Sequence, residues 1–270
     1  MDKPIYRYLA DRKWRAYERK VIAQRISQFH IVPDILPKLE PTADVKLFFR
    51  STKVAPGQIV DSLVSEAPPR LRVQVFDKGE RLVSIVVVDP DVPVVEEDGF
   101  QKRCHYLAAN IPLSPNGGSI ALGRALPNEQ LAVPWLPAFS QKGLPYHRLA
   151  VFVLEQQPGE TLDVAKLKEL YEGRDGFSLK SYRDKFHLKP VGFNVFRSVW
   201  DEHTAAVMER AGQPGGDVEF KHRHVKSLKE PRKPKGWEAK RMGPKYRHLW
   251  KYTHRIRGYS NSKGLLKSRR

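Results

Sequence analysis

The side chains that could do chemistry fall into two groups: acids and imidazoles beside an apolar run, and a crowd of cations near the C-terminus. Asp89 and Asp91 flank Pro90 in "SIVVVDPDVP". Asp89, His105 and Ser140 supply the residue types of a hydrolytic triad, but no nucleophile motif such as GxSxG occurs and nothing positions an oxyanion hole. Cys104, next to His105, is a poor nucleophile candidate because neighbours on a strand face opposite ways. Catalysis is therefore not expected. In the simplest reading, DPD makes a tight turn in which Asp side chains accept backbone N–H bonds, and His105 and His147 are packed, hydrogen-bonded histidines.

The cations carry a stronger signal. Residues 221–270 hold 18 Lys and Arg against two acids, Glu230 and Glu238, whereas the formal charge of the whole chain is +18. The first 220 residues are therefore close to neutral. Lys221, Arg223, Arg232, Lys233, Lys235, Lys240, Arg241, Lys245, Arg247, Lys251, Arg255 and Arg257 would attract phosphates. Trp237, Tyr246 and Trp250, with Tyr252 and Tyr259, offer faces for stacking on unpaired bases. RNA is the expected partner, with an anionic membrane surface as the competing one. His222 and His224 lie two apart, without cysteines or nearby acids, so neither a metal nor another cofactor is expected.

Three regions must position these groups. In residues 1–43, Trp14, Tyr17, Val21, Ile22, Ile26 and Phe29 recur at helical steps. That stripe fits a helix packed on its own domain or docked on a partner. Pro33, Pro37 and Pro41 end the helix and open an extended connector. Residues 44–212 alternate short β-rich segments with Gly/Pro turns: "DVKLFFR", "RLRVQVF", "LVSIVVV", "HYLAANI" and "RLAVFVLEQ". No long helix separates the first four, so antiparallel pairing in a β-sandwich is expected. Helices are expected over "TLDVAKLKELYEG" with a Thr161 cap, "SLKSYRDKF" with a Ser178 cap and "FRSVWDEHTAAVMERAG" ending at Gly212. Residues 213–270 are expected to form a basic tail, which from Lys221 onward lacks a sustained apolar period and cannot bury enough surface to fold alone. The single cysteine excludes an internal disulfide and fits a reducing compartment. The longest apolar run is far short of the roughly 20 residues that cross a bilayer, so a soluble chain is expected. The N-terminus has the composition of neither a secretory nor an organellar presequence.

Three ordered blocks carry a family resemblance. "VVVDPDVP", "CHYLAANIP" and "YHRLAVFVLEQ" resemble the DPDxP, HxxxxN and GxxHRY…EQ blocks of the phosphatidylethanolamine-binding protein (PEBP) family, and "SYRDKFHLKPVGFNVFRSVW" is similar to its closing segment. The resemblance implies a mainly β fold, an antiparallel sandwich with C-terminal helices. It also implies a small pocket for phosphate-like head groups lined by Asp89, Asp91, His105 and His147. Phe100, Arg103, Cys104, Leu149, Ser140 and Gln141 depart from the family pattern, so the pocket is expected to be vestigial. The lead-in "IVPDILPKLEPTADV" and the basic tail resemble the PEBP-like branch found in the mitochondrial large ribosomal subunit. That resemblance implies a structural role in the mitochondrial matrix, with ribosomal RNA and neighbouring mitochondrial ribosomal proteins as partners. A free PEBP-like module binding a phospholipid head group or a signalling partner is the alternative.

Overall fold

The computed structural model describes residues 1, 3–123, 127, 129–221 and 236. The chain divides into two units, Met1–His222 and Arg223–Arg270, and the strands and helices named here lie in the first. Two helices lead, α1 (Pro4–Ala16) and α2 (Glu18–Gln28), followed by a single turn, α3 (Ile31–Asp34). Then come β1 (Asp44–Phe49), β2 (Thr52–Val54), α4 (Ser62–Ser65), β3 (Arg70–Gln74), β4 (Arg81–Val94), β5 (Gly99–Leu113), β6 (Ser119–Ala121) and β7 (Leu131–Val133). The remaining elements are β8 (His147–Glu155), α5 (Val164–Tyr171), α6 (Leu179–Lys185), β9 (Lys189–Ser198) and α7 (Thr204–Arg210).

The strands form two antiparallel sheets, ordered β2-β1-β3-β6 and β7-β5-β4-β8-β9. Between them lies a core built from alternate positions, including Val45, Leu47, Phe49, Leu71, Val73, Val83, Ile85, Val87, Val151 and Val153. The intervening residues of the five-stranded sheet are buried as well. Val86, Val88, Ala150, Phe152, Leu154, Phe193 and Val195 join a second cluster, covered by Leu167, Phe177, Leu179 and Tyr182 and by Ile22, Ile26, Phe29, Ile31 and Leu36 of the N-terminal segment. A sheet buried on both faces loses its polar alternation, which explains the continuous apolar run in β4.

The N-terminal stripe therefore packs on its own domain. Trp14, Ile22, Ile26 and Phe29 are buried, whereas Tyr17 is 72% exposed and stands at the break between α1 and α2. The connector is anchored by buried Ile35, Leu36 and Leu39. Its Thr42 and Ala43 amides donate to the Val191 carbonyl of β9 at 2.8 and 2.9 Å.

Three expectations need correction. The first residues of the predicted helix "FRSVWDEHTAAVMERAG" belong to β9, and helix begins only at Thr204. β9 is buried on both faces, and Gly192 admits close packing there, since a Cβ would meet Val45 Cγ2 at 2.5 Å. The α5 cap is Asp163, which accepts from the Ala165 and Lys166 amides, not Thr161. The single N-terminal helix is two helices.

If the N-terminal cover belongs to the cooperative fold, Leu36→Ala, at a fully buried position, should cost about 2–5 kcal/mol. Urea denaturation checks this: the midpoint should fall with an unchanged m-value.

Candidate anion site at the end of the sandwich

The four acids and histidines of the motif blocks converge where β4, β5 and β8 meet, and irregular pairing aims them there. β4 pairs β5 with register shifts between Val87 and Val88 and between Asp89 and Val92; Val87 faces Tyr106 and Val88 faces Cys104, so His105 is the extra residue of a bulge. Its carbonyl accepts from the Leu136 amide at 2.9 Å. The His105 Nδ1–H donates to the Leu136 carbonyl at 3.0 Å, which turns Nε2 toward Asp89 Oδ2 at 3.7 Å, too far for a hydrogen bond. His147 opens β8, and its Nδ1–H donates to Asp89 Oδ2 at 2.7 Å. Asp89 Oδ1 accepts the Asp91 amide at 2.9 Å, closing the turn over Pro90.

Asp91 is engaged differently. Arg148, the residue after His147, grips it through Nε at 2.8 Å to Oδ2 and Nη2 at 2.6 Å to Oδ1, and the Arg148 amide donates to Oδ2 at 2.9 Å. The remaining Arg148 nitrogen, Nη1, reaches the N-terminal segment, donating to the Phe29 carbonyl at 2.6 Å and to Asp34 at 2.9 Å. One guanidinium thus joins a core turn to the cover.

The electrostatics follow from this pairing. Burial would push the Asp89 carboxyl up, but the His147 charge and hydrogen bond, with the His105 imidazole close by, hold it well below the ordinary carboxylate range. Burial would likewise lower His147, but Asp89 outweighs it and raises the imidazole. Burial would lower Arg148, yet hydrogen bonds to Asp91 and Asp34 raise it further. Burial pushes the Cys104 thiol up to about 12, so it stays protonated near neutral pH.

Above this cluster lies a groove of about 520 Å³ lined by Gln28, Phe29, His30, Asp34, Asp91, Phe100, Leu144, Pro145, Tyr146, His147 and Arg148. Of the four motif residues, Asp91 and His147 line it; Asp89 and His105 are buried beneath, 1% and 0% exposed. An oxyanion in the groove would meet the carboxylates of Asp91 and Asp34 and an arginine already engaged by both. Among the described residues, buried His105 Nε2, His147 Nε2 and Ser140 Oγ lack hydrogen-bond partners, which leaves the cluster polar capacity that protein groups do not use. The departures from the motif have other uses. Arg103 pairs with Asp175 at 2.5 Å and lies 5.9 Å from the Phe139 ring centroid. Leu149 is part of the sandwich interior, not of the groove wall. Phe100 is 68% exposed at the groove rim.

Sequence reasoning missed Arg148 and Asp34, although an arginine directly after His147 was available as a signal. No group of three or more His, Cys, Asp or Glu among the described residues could hold a metal ion, and no described helix is long and apolar enough to cross a membrane. Of the cations assigned to RNA, Lys221 is described; it is exposed and lies 3.9 Å from Glu219. Arg223, Arg232, Lys233, Lys235, Trp237, Lys240, Arg241, Lys245, Tyr246, Arg247, Trp250, Lys251, Arg255 and Arg257 lie outside the described residues.

Two antiparallel sheets with a DPD turn facing two strand-borne histidines define the PEBP class of fold. A family model described as phosphatidylethanolamine-binding protein matches residues 50–207, and the chain belongs to that family. The large ribosomal subunit protein mL38 of Schizosaccharomyces pombe is 25% identical over 213 residues, covering 77% of this chain and 66% of that protein, so the chain spans just under two thirds of that relative. The uncharacterized protein YLR179C of Saccharomyces cerevisiae is 25% identical over 178 residues, covering 62% of this chain and 82% of that protein. Carboxypeptidase Y inhibitor, solved with its cognate proteinase, matches in fold with a TM-score of 0.50 at 15% identity, covering 68% of this chain and 97% of that one.

A carboxylate with a lowered folded pKa stabilises the fold above its ordinary value of 3.8 and loses that contribution as pH falls; a histidine with a raised one stabilises below its ordinary 6.5 and loses it as pH rises through the folded value. Asp89→Asn should therefore be most destabilised, relative to the wild type, between about pH 4 and 6.5. Denaturation series across pH should show the gap narrowing on the alkaline side. Arg148→Met should cost about 3 kcal/mol by stranding Asp91, whereas Asp34→Asn at the more exposed end should cost less than about 1 kcal/mol; chemical denaturation compares them directly.

Proposed function

We propose that the chain is a structural constituent of the mitochondrial large ribosomal subunit, contributing to mitochondrial translation through contacts with ribosomal RNA and neighbouring ribosomal proteins. The observation that carries this reading is the placement of charge: a nearly neutral PEBP core bears 18 Lys and Arg against two acids in its last 50 residues. Such a segment, interleaved with tryptophan and tyrosine, suits phosphate contact and base stacking. The likeness to mL38 of S. pombe supports it, because that match spans 213 residues and so extends beyond the family segment 50–207.

Three parts divide the work in this reading. Residues 1–43 close the outer face of the core, residues 44–212 form a rigid block, and residues 213–270 contact RNA. The pocket of Asp89, Asp91, His105 and His147 is vestigial as an anion site, because its acids hold His147 and Arg148 in internal pairs. No catalytic role is assigned to it.

Sedimentation of mitochondrial matrix lysate should place the tagged protein with the large ribosomal subunit; recovery confined to light fractions would sink the proposal. Truncation after Gly216 should reduce incorporation and flatten the salt dependence of RNA binding.

A further inference from the structure

The outer face of the four-stranded sheet is a second surface of unusual composition, remote in sequence from the tail. One cross-strand row runs Lys53, Phe48, Arg70; the next pairs Lys46 with Arg72, which faces Ser119. Arg70, Arg72 and Lys53 are exposed, and the Arg70 guanidinium lies 5.6 Å from the Phe48 ring centroid. Along its upper edge a groove of about 310 Å³ separates the sheet from α1 and α2, and Lys13, Trp14, Tyr17, Arg72, Gln74 and Phe76 contribute to its walls. The acids on this side, Asp44 and Glu18, are both held by Lys46, at 2.9 and 3.3 Å. Lys13, Lys53 and Arg72 form no ion pair among the described residues.

We propose that this face binds single-stranded RNA, with Lys13, Lys53, Arg70 and Arg72 on phosphates and Tyr17 stacking on a base. The inference rests on the ribosomal reading for the class of polymer, and on the sheet for its geometry. Residues two apart on one face of a strand are about 7 Å apart, and adjacent strands about 4.8 Å. Arg70 and Arg72 thus present two charges at a spacing near that of successive phosphates in an extended strand, and Lys53 lies two strands across from Arg70. A membrane surface fits less well. Polar Gln74 and Ser119 intersperse its cations, and Phe48 on the face is already covered by the Arg70 guanidinium.

The test uses the full-length protein and a uridine-rich single-stranded RNA, with affinity measured by fluorescence anisotropy over a range of salt. R70Q/R72Q should weaken binding severalfold and reduce the slope of log K against log salt by about 1.4, the value for two contacts on a single strand. Tyr17→Ala should weaken binding with the slope unchanged. K180Q/K185Q on α6 removes the same charge elsewhere and should leave the slope as it is. An unchanged slope in R70Q/R72Q, or an equal loss in the α6 control, overturns the proposal. So does loss of binding to phosphatidylserine vesicles in R70Q/R72Q while RNA binding persists, which would assign the face to a membrane. Purified components suffice, so failure of the protein to sediment with ribosomes would leave this result standing on its own.

Discussion

The architecture depends on a sheet with no solvent face. β4, β5, β8 and β9 bury apolar side chains toward the four-stranded sheet and equally away from it, and a sandwich alone covers one side. The other side needs a cover large enough to take Phe152, Phe193, Val86 and Val195 out of water. α5 and α6 supply part of it, and the segment from Ile22 to Leu36 supplies the rest. At about 25 cal/mol per Å² of apolar surface, leaving such a face bare would cost more than the marginal stability of a domain.

Arg148 fixes where this cover sits. Hydrophobic burial is not directional, so the α2–α3 junction could slide over an apolar face without much penalty. The guanidinium removes that freedom by bonding Asp91 on one side and the Phe29 carbonyl and Asp34 on the other. The same contacts use up charge that an anion pocket would need. The acids of the DPD turn thus position a histidine and an arginine.

Much of this was legible in the sequence. The strands around Val45, Val73, Ile85, Ala108 and Val151 announced themselves through β-branched runs bounded by turns, and the motif blocks located Asp89, Asp91, His105 and His147. β9 was partly misread as helix because burial on both sides erases the alternation that marks a strand, and its neighbour "DEHTAAVMERAG" is helix-forming. The break at Tyr17 was hidden because the apolar stripe continues across it. The partnership of Arg148 with Asp34 spans 114 residues, and no local pattern encodes contacts at that range. The outer face of the four-stranded sheet was invisible for a related reason: Lys53, Arg70 and Arg72 become neighbours only through strand register.

The route of the N-terminal segment also constrains the order in which the molecule can be made. Its stripe of Ile22, Ile26 and Phe29 leaves the exit tunnel well before β9, yet α2 packs on β9, and Thr42 and Ala43 bond to Val191, about 150 residues later. Through most of synthesis, then, an amphipathic helix pair waits without its partner. Loop-closure entropy must be met before those contacts form, so the core strands are expected to assemble first and the extension to dock last. A chain stalled before β9 would expose both the stripe and the uncovered sheet, the combination most prone to sticking to other chains.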